Sequence, residues 1–301
     1  VYLILVTQGC RSDKGLSDPI ISRLLGKRCA VRVLDLIPAD YEKSYLVMDD
    51  YLKMHEKPDL VLITGDRVEQ CAAATSAFLN NVKIAHYGAG ITNTIATYDD
   101  ILRHTITLMS DIQLCENVAA QWVVWDVMKA VGLTPNSYNT GTTHLDDIII
   151  DESKVPTVKP HWIDGDGYTR RYDLILYNTP TKCDYSADIA AIRELIGDSY
   201  SVLVGGNPDG NAETELCEWV DEWHENLPRP QFLGLLKNCT RLITNSSVAY
   251  YEAPHFLQPD QIILIGERNK NRAKVEVAPG GSDKIVEVIL DYAETHTLLH
   301  S

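Results

Sequence analysis

Short apolar runs of strand length alternate with longer amphipathic segments along nearly all of the 301 residues, and that alternation admits few folds. Val1 to Val6 reads as a strand, Asp18 to Leu25 as a helix, Val31 to Leu36 as a strand and Tyr45 to Met54 as a helix. Leu60 to Ile63 then leads into an Ala-rich helix from Glu69 to Leu79 and a strand from Val82 to His86. Ile101 to Leu108 and Val118 to Val131 continue the helical pattern. Repeated strand, helix, strand units build a doubly wound parallel sheet, because a parallel pair needs a crossover long enough to hold a helix. From Asp151 to Arg171 the composition turns to Pro156, Pro160, Gly165, Gly167 and charges, as in a linker. The alternation then resumes with strand Leu174 to Tyr177, helix Ala187 to Ile196, strand Ser201 to Val204 and helix Ala212 to Trp223. Strands Arg241 to Ile243 and Ile262 to Ile265 follow, then a last helix from Ser282 to Tyr292. The expected architecture is α/β, with two Rossmann-like domains, residues 1–155 and 156–301, facing a central cleft. The last helix is expected to return toward the first domain.

Composition narrows the partners. With 42 acidic against 27 basic residues and a formal charge of −15, the chain offers no broad phosphate-neutralising surface, so nucleic acid is not expected to bind over a wide face. Any anionic ligand must be held locally. Seven cysteines without a CxxC pair read as reduced core thiols, and no apolar run nears the roughly 18 residues of a membrane span. No signal peptide or anchor is read, and the expected location is cytoplasmic. His86, His104 and His144 lie far apart, and no two histidines share ligand spacing with a cysteine or acid, so neither a metal nor another cofactor is expected.

Two segments concentrate chemistry in the first half. Leu60 to Ile63, introduced by Pro58 and ended by Gly65, has the form of a buried parallel strand, which puts Asp66 and Arg67 at its carboxyl end. Ligands of open α/β sheets bind at that edge. Tyr98 to His104 adds Asp99, Asp100, Arg103 and His104. The plainer readings are that Asp66 caps the helix starting near Val68 and that Asp99 and Arg103 pair at i,i+4 on one helix face.

The motifs, taken in order, carry a family resemblance. Gly9-Cys-Arg-Ser-Asp-Lys-Gly15, Gly65-Asp-Arg67, Asp99-Asp-Ile-Leu-Arg-His104, Asn245-Ser-Ser247, Glu252-Ala-Pro254 and Gly266-Glu-Arg268 resemble motifs of the hydrolysing branch of the UDP-N-acetylglucosamine 2-epimerases, covering Gly9 to Arg272. The resemblance implies the GT-B fold, binding of UDP and a UDP-linked sugar, and a homodimer formed through the first domain. It assigns Asp66 and Asp99 to acid and base work at C2 of the sugar, with Asp100 and His104 crowding the same cleft and Arg103 supporting sugar or phosphate. It also gives Asn207, in Gly205-Gly-Asn-Pro-Asp209, a place near the sugar nucleotide. Local chemistry is compatible with this. Ser246 and Ser247 follow a strand and stand at a helix start, a site that suits a diphosphate, although a plain serine cap would look the same. Glu252 can accept both ribose hydroxyls, and Arg11 and Arg268, each after a strand, suit a diphosphate by charge and bidentate geometry.

The departures from the family pattern lie among the epimerising groups. Where the family carries a catalytic carboxylate or histidine, His86-Tyr-Gly-Ala-Gly-Ile91 leaves Gly88, and in Asn178-Thr-Pro180 a family histidine becomes Thr179. The stretch between Leu36 and Lys57 is also short for the family's substrate-covering segment. Three classes therefore stay open: an epimerase releasing UDP, a UDP-sugar-dependent glycosyltransferase needing only substitution at C1, and a nucleotide-sugar binding protein without catalysis.

Overall fold

Each central strand is buried on both faces, which is why it reads as an unbroken apolar run. The computed structural model describes residues 1–7, 11–25, 27, 29–92, 98–148, 172–180, 184–205, 212–225, 227–269 and 278–297, with backbone alone for 11–13, 212–213 and 296–297. The chain divides into two compact units: Val1–Thr92, Tyr98–Asp146 and Val275–Ser301 form the first, and Asn93–Thr97 with Asp147–Lys274 the second. The expected boundary near residue 155 and the 151–171 linker lie outside the described residues.

The first unit contains β1 (Tyr2–Thr7), α1 (Arg11–Leu24), β2 (Ala30–Asp35), α2 (Tyr41–Met54), β3 (Leu60–Thr64) and α3 (Val68–Leu79), followed by β4 (Ile84–Tyr87), α4 (Tyr98–Met109), β5 (Ile112–Cys115), α5 (Val118–Ala130) and β6 (Ser137–Asn139). Its sheet has the order β2-β1-β3-β4-β5-β6 with every pair parallel. Strand alternation sorts the side chains. Ile4, Val6, Val61, Ile63 and Ile84 pack on one face with Met48, Ala73 and Ile106 of the helices. Leu3, Leu5, Leu60, Leu62 and Ile112 pack on the other with Ile20, Leu24, Ile285 and Ile289. Each fully buried Leu or Ile contributes on the order of 1.5–3 kcal/mol.

The second unit runs β7 (Asp173–Leu176), α6 (Ser186–Ile196), β8 (Ser201–Val204), α7 (Ala212–Leu216), β9 (Glu222–His224), α8 (Arg229–Asn238), β10 (Arg241–Thr244) and β11 (Ile262–Leu264). Its sheet, again parallel, has the order β11-β10-β7-β8-β9. The last helix, α9 (Gly281–Thr297), belongs to the first unit. Asp146 anchors its start: Oδ1 accepts from Gly280 N at 2.5 Å, and Oδ2 accepts from Ser282 N at 2.8 Å and Ser282 Oγ at 2.5 Å. A carboxylate over the first turn satisfies orphan N–H groups and opposes the helix dipole.

The structure corrects several boundaries. The first helix begins at Arg11 rather than Asp18 and runs through Pro19, because Ser17, Ile20 and Leu24 form a buried stripe that outweighs the one backbone bond proline removes. The expected helix from Ala212 to Trp223 stops at Leu216, and Glu222–His224 pairs with β8 instead. Asp221 fixes that turn by accepting from Ser201 N at 2.8 Å. Strand β5 was hidden by Gln113, a buried amide whose Nε2 donates to Ser110 O at 2.6 Å and whose Oε1 accepts from Asn136 N at 2.9 Å. Helix α8 was hidden by its Pro228-Arg-Pro230 entry and by Gly234.

Candidate active site

In an open parallel sheet, ligands gather where adjacent strands send their crossovers to opposite sides, because loops rather than a helix line that crevice. In the first unit this point lies between β1 and β3. Asp66, two residues past the end of β3, stands there. The turn that carries it is fastened by Gly65 N donating to Tyr87 O at 3.0 Å and by His86 Nε2 donating to Gly65 O at 2.8 Å. Burial pushes His86 down to about 3, so the ring is neutral when it makes that bond.

Arg103 reaches the same turn from α4. Its Nη2 donates to Asp66 Oδ2, and its Nη1 donates to Gly88 O at 2.9 Å. Arg103 is 6% exposed and Asp66 is half-buried. Both plainer readings of the sequence fail here. Asp66 is not the cap of α3, whose N-cap is Arg67, with Arg67 N donating to Gln70 Oε1 at 2.9 Å. Arg103 turns to Asp66 rather than to Asp99. Asp99 and Asp100 occupy the first turn of α4, both half-buried. His104 follows Arg103 on that helix; burial lowers its pKa while the Asp100 charge pulls the other way. Its Nδ1 is buried with no hydrogen-bond partner among the described residues.

Gly88 lies against this cluster. Its φ is +89°, and a Cβ there would stand 3.3 Å from Arg103 Nη1. Gly90, at φ +77°, is tighter still, since a Cβ would run into Ala120 O. The sequence reading missed Glu69, which is fully buried and accepts from Arg67 Nε at 2.7 Å and from Ala39 N at 3.3 Å. A charged residue in an Ala-rich apolar helix was the available signal.

In the second unit the crossover direction changes between β7 and β10. Asn245 bridges that point like a clasp: Oδ1 accepts from Asn178 N and Nδ2 donates to Asn178 O, both at 2.7 Å. Asn269 Nδ2 donates to Asn245 O at 2.6 Å, and Thr244 Oγ1 donates to Leu176 O at 2.5 Å. Ser246 and Ser247 follow directly and are half-buried. The segment they open is a three-residue 3-10 turn, Ser247–Ala249, rather than the α-helix start expected, and Ser246 Oγ caps it by accepting from Val248 N at 3.4 Å. A helix dipole therefore adds little here, and an anion would depend on the hydroxyls and local N–H groups. Glu252 is 8% exposed, with Arg229 Nη2 3.6 Å from its Oε1. Arg268 is half-buried and Thr179 buried. The Arg11 side chain and Asn207 lie outside the described residues, as does the 270–277 stretch that includes Arg272.

A family profile for UDP-N-acetylglucosamine 2-epimerase matches residues 45–298, through both clusters. The chain belongs to that family. It is 28% identical over 229 residues to the UDP-N-acetylglucosamine 2-epimerase of Neisseria meningitidis serogroup B, covering 72% of this chain and 58% of the relative. It is 24% identical over 250 residues to the UDP-N,N'-diacetylbacillosamine 2-epimerase (hydrolyzing) of Legionella pneumophila, covering 79% and 62%. The chain thus spans less than two-thirds of the length of these curated relatives. The crystal structure of the Neisseria meningitidis UDP-GlcNAc 2-epimerase bound to UDP-GlcNAc superposes with a TM-score of 0.72 at 16% identity, covering 98% of this chain and 92% of that one. The epimerase-family chain therefore has the GT-B fold. The glycosyltransferase alternative is not favoured by these likenesses. Among the described residues, no helix is long and apolar enough to cross a membrane.

Proposed function

We propose that this family member is a hydrolysing 2-epimerase that converts a UDP-2-acetamido sugar to the free 2-epimeric sugar with release of UDP. The observation that carries the reading is the Asp66 carboxylate at the switch point of the first unit, ion-paired with the buried Arg103. It agrees with the Legionella relative, whose name specifies hydrolysis. A base removes the C2 proton, the C–H electrons form a C1–C2 double bond, and the C1–O bond breaks to release UDP. Water then adds at C1 while a proton returns to C2 from the opposite face. Asp66 and Asp99 are the proposed base and acid, with Asp100 and His104 as further proton carriers and Arg103 holding Asp66 in place. General acid–base groups of this kind contribute roughly 10²–10⁴-fold each.

In the second unit, Ser246 and Ser247 are proposed to hold the diphosphate with Asn207 and Arg268, and Glu252 to take the ribose hydroxyls; in the first unit, Arg11 is proposed as a further phosphate-binding group. The chain is further proposed to act in the cytoplasm as a homodimer. The test is incubation with UDP-N-acetylglucosamine without an acceptor. Free N-acetylmannosamine with one equivalent of UDP supports the proposal. A UDP-linked epimer would identify the non-hydrolysing reaction instead, and an unchanged substrate would remove the catalytic reading.

A further inference from the structure

We infer that Thr107 is a positioning residue for Asp66 and acts through His86: its hydroxyl donates to one ring nitrogen, and the other ring nitrogen donates to the carbonyl before Asp66. The inference rests on the proposed role of Asp66 and goes beyond it in assigning a residue outside every motif that carries the family resemblance. His86 on β4 and Thr107 on α4 are both fully buried. Thr107 Oγ1 lies 3.0 Å from His86 Nδ1 and 2.9 Å from Arg103 O, so its one proton has two places to go. Gly65 O, 2.8 Å from His86 Nε2, can only accept, which puts the ring proton on Nε2. The ring is neutral, because full burial beside the Arg103 cation disfavours a second charge, and Nδ1 is then a bare acceptor. Arg103 O already receives the helical N–H of Thr107, four residues on, so the hydroxyl proton goes to Nδ1.

Two hydrogen bonds thus run in one direction, from Thr107 to His86 to Gly65, and each polarises the next. Helix α4 thereby holds Asp66 twice. Arg103 takes the carboxylate through Nη2, and Thr107, one turn further along, takes the preceding carbonyl through the imidazole. Gly65 stands at φ +89° and has no Cβ to restrict it, so these bonds, with Gly65 N donating to Tyr87 O, set the direction in which Asp66 leaves the strand. A reacting carboxylate needs that precision, since a misplacement of about 1 Å can cost roughly 10²-fold in rate.

The experiment combines nitrogen NMR of the imidazole rings with the kinetics of UDP release from UDP-N-acetylglucosamine, for wild type, Thr107→Ser, Thr107→Val, His86→Leu and the Thr107→Val/His86→Leu double variant. In wild type, His86 should show a protonated Nε2 and an unprotonated, hydrogen-bonded Nδ1. In Thr107→Val the Nδ1 signal should move toward that of an unbonded lone pair while Nε2 keeps its proton. Thr107→Val should lower kcat by about tenfold or more with KM within about twofold, and Thr107→Ser, which keeps the hydroxyl, should stay within about threefold of wild type. In the His86→Leu background, Thr107→Val should add less than about twofold, because the ring through which it acts is gone. A protonated Nδ1 in wild type overturns the chain of bonds; that measurement needs no variant and keeps the test decisive if Thr107→Val folds poorly. A wild-type kcat in a folded Thr107→Val, or an equal loss with and without His86, overturns the positioning role and leaves the role of Asp66 standing. Absence of UDP release in wild type overturns the proposed function and the positioning role together.

Discussion

Removing the Asp66 carboxylate should damage folding and catalysis by separable amounts, because its partner is more buried than it is. Arg103 is 6% exposed, and its described acceptors are Asp66 Oδ2 and Gly88 O. Its Nε has no hydrogen-bond partner among the described residues. Asp66→Ala therefore leaves a guanidinium out of water with one neutral acceptor, and stranding one member of a buried pair costs about 3–5 kcal/mol. Asp66→Asn keeps an acceptor oxygen and loses only the charge, exchanging a charge-assisted bond for a neutral one at about 1–2 kcal/mol. Arg103→Met takes away the buried cation, and Asp66, whose side chain is 20% exposed, can recruit water, so about 1–2 kcal/mol is expected. Asp66→Ala with Arg103→Met should then be more stable than Asp66→Ala alone, with a coupling of about 2 kcal/mol or more.

Urea unfolding followed by the fluorescence of Trp122 and Trp125, both in the first unit, measures the stability half of the argument. The readout is the first-unit transition, since two units need not unfold together. The other three tryptophans of the sequence, Trp162, Trp219 and Trp223, make a background lacking them necessary. Release of UDP measures the catalytic half, where Asp66→Asn should lower turnover by roughly 10²-fold or more despite its small loss of stability. The reasoning is refuted if Asp66→Ala and Asp66→Asn are equally stable, or if Asp66→Asn turns over at the wild-type rate.

Other outcomes follow from the same packing. His86 has a folded pKa near 3 against 6.5 for the ordinary imidazole, so the unfolded chain binds the extra proton between those values. Stability should fall as pH drops from about 6.5 toward 3, by up to about 1.4 kcal/mol per pH unit, and His86→Gln should flatten that slope in urea titrations at several pH values. Gly90→Ala should lose about 2–3 kcal/mol, visible as a lower melting temperature, because its Cβ would overlap Ala120 O at positive φ; an unchanged melt would contradict the backbone geometry. Gly88→Glu should destabilise by about 1–3 kcal/mol and should not raise product formation, contrary to what the family pattern alone suggests, since the new side chain starts 3.3 Å from the guanidinium that positions Asp66. A gain in N-acetylmannosamine formation would show that Arg103 moves aside.

Where one physical rule decided an element, the sequence was sufficient to read it. Leu60–Thr64 is buried throughout, and its apolar run bounded by Pro58 and Gly65 could be little else, which also located Asp66. Glu222–His224 was misread because Leu216, Val220 and Trp223 keep helical spacing, while the decisive contact, Asp221 with Ser201, joins residues 20 apart. The strand Ile112–Cys115 was overlooked for a related reason: the partners that satisfy Gln113 include Asn136, far along the chain. At the sites, charged motif residues were legible by type and place. Their pairings were not. Asp99 at i,i+4 was the local candidate for Arg103, yet the guanidinium chose a carboxylate 37 positions away, because the fold brings the end of β3 beside α4. The Asn178–Asn245 clasp, spanning 67 positions, was equally beyond local reading.

The missing carboxylate at position 88 is bound up with that long-range choice. Gly88 donates its N–H to Leu114 O at 3.1 Å, and its carbonyl receives Arg103 Nη1, so its backbone is held from both sides. With φ at +89°, the position favours glycine on steric grounds whatever chemistry surrounds it. A Cβ at 88 would stand 3.3 Å from Arg103 Nη1, so a side chain there would press on the guanidinium whose Nη2 holds Asp66. Gly88 and the Asp66–Arg103 pair are therefore packed against one another. On the proposed mechanism, the proton at C2 is handled by Asp66 within this pair and by Asp99, with Asp100 and His104 as further carriers, and a substitution at 88 acts on the guanidinium that holds Asp66 as well as adding a new group.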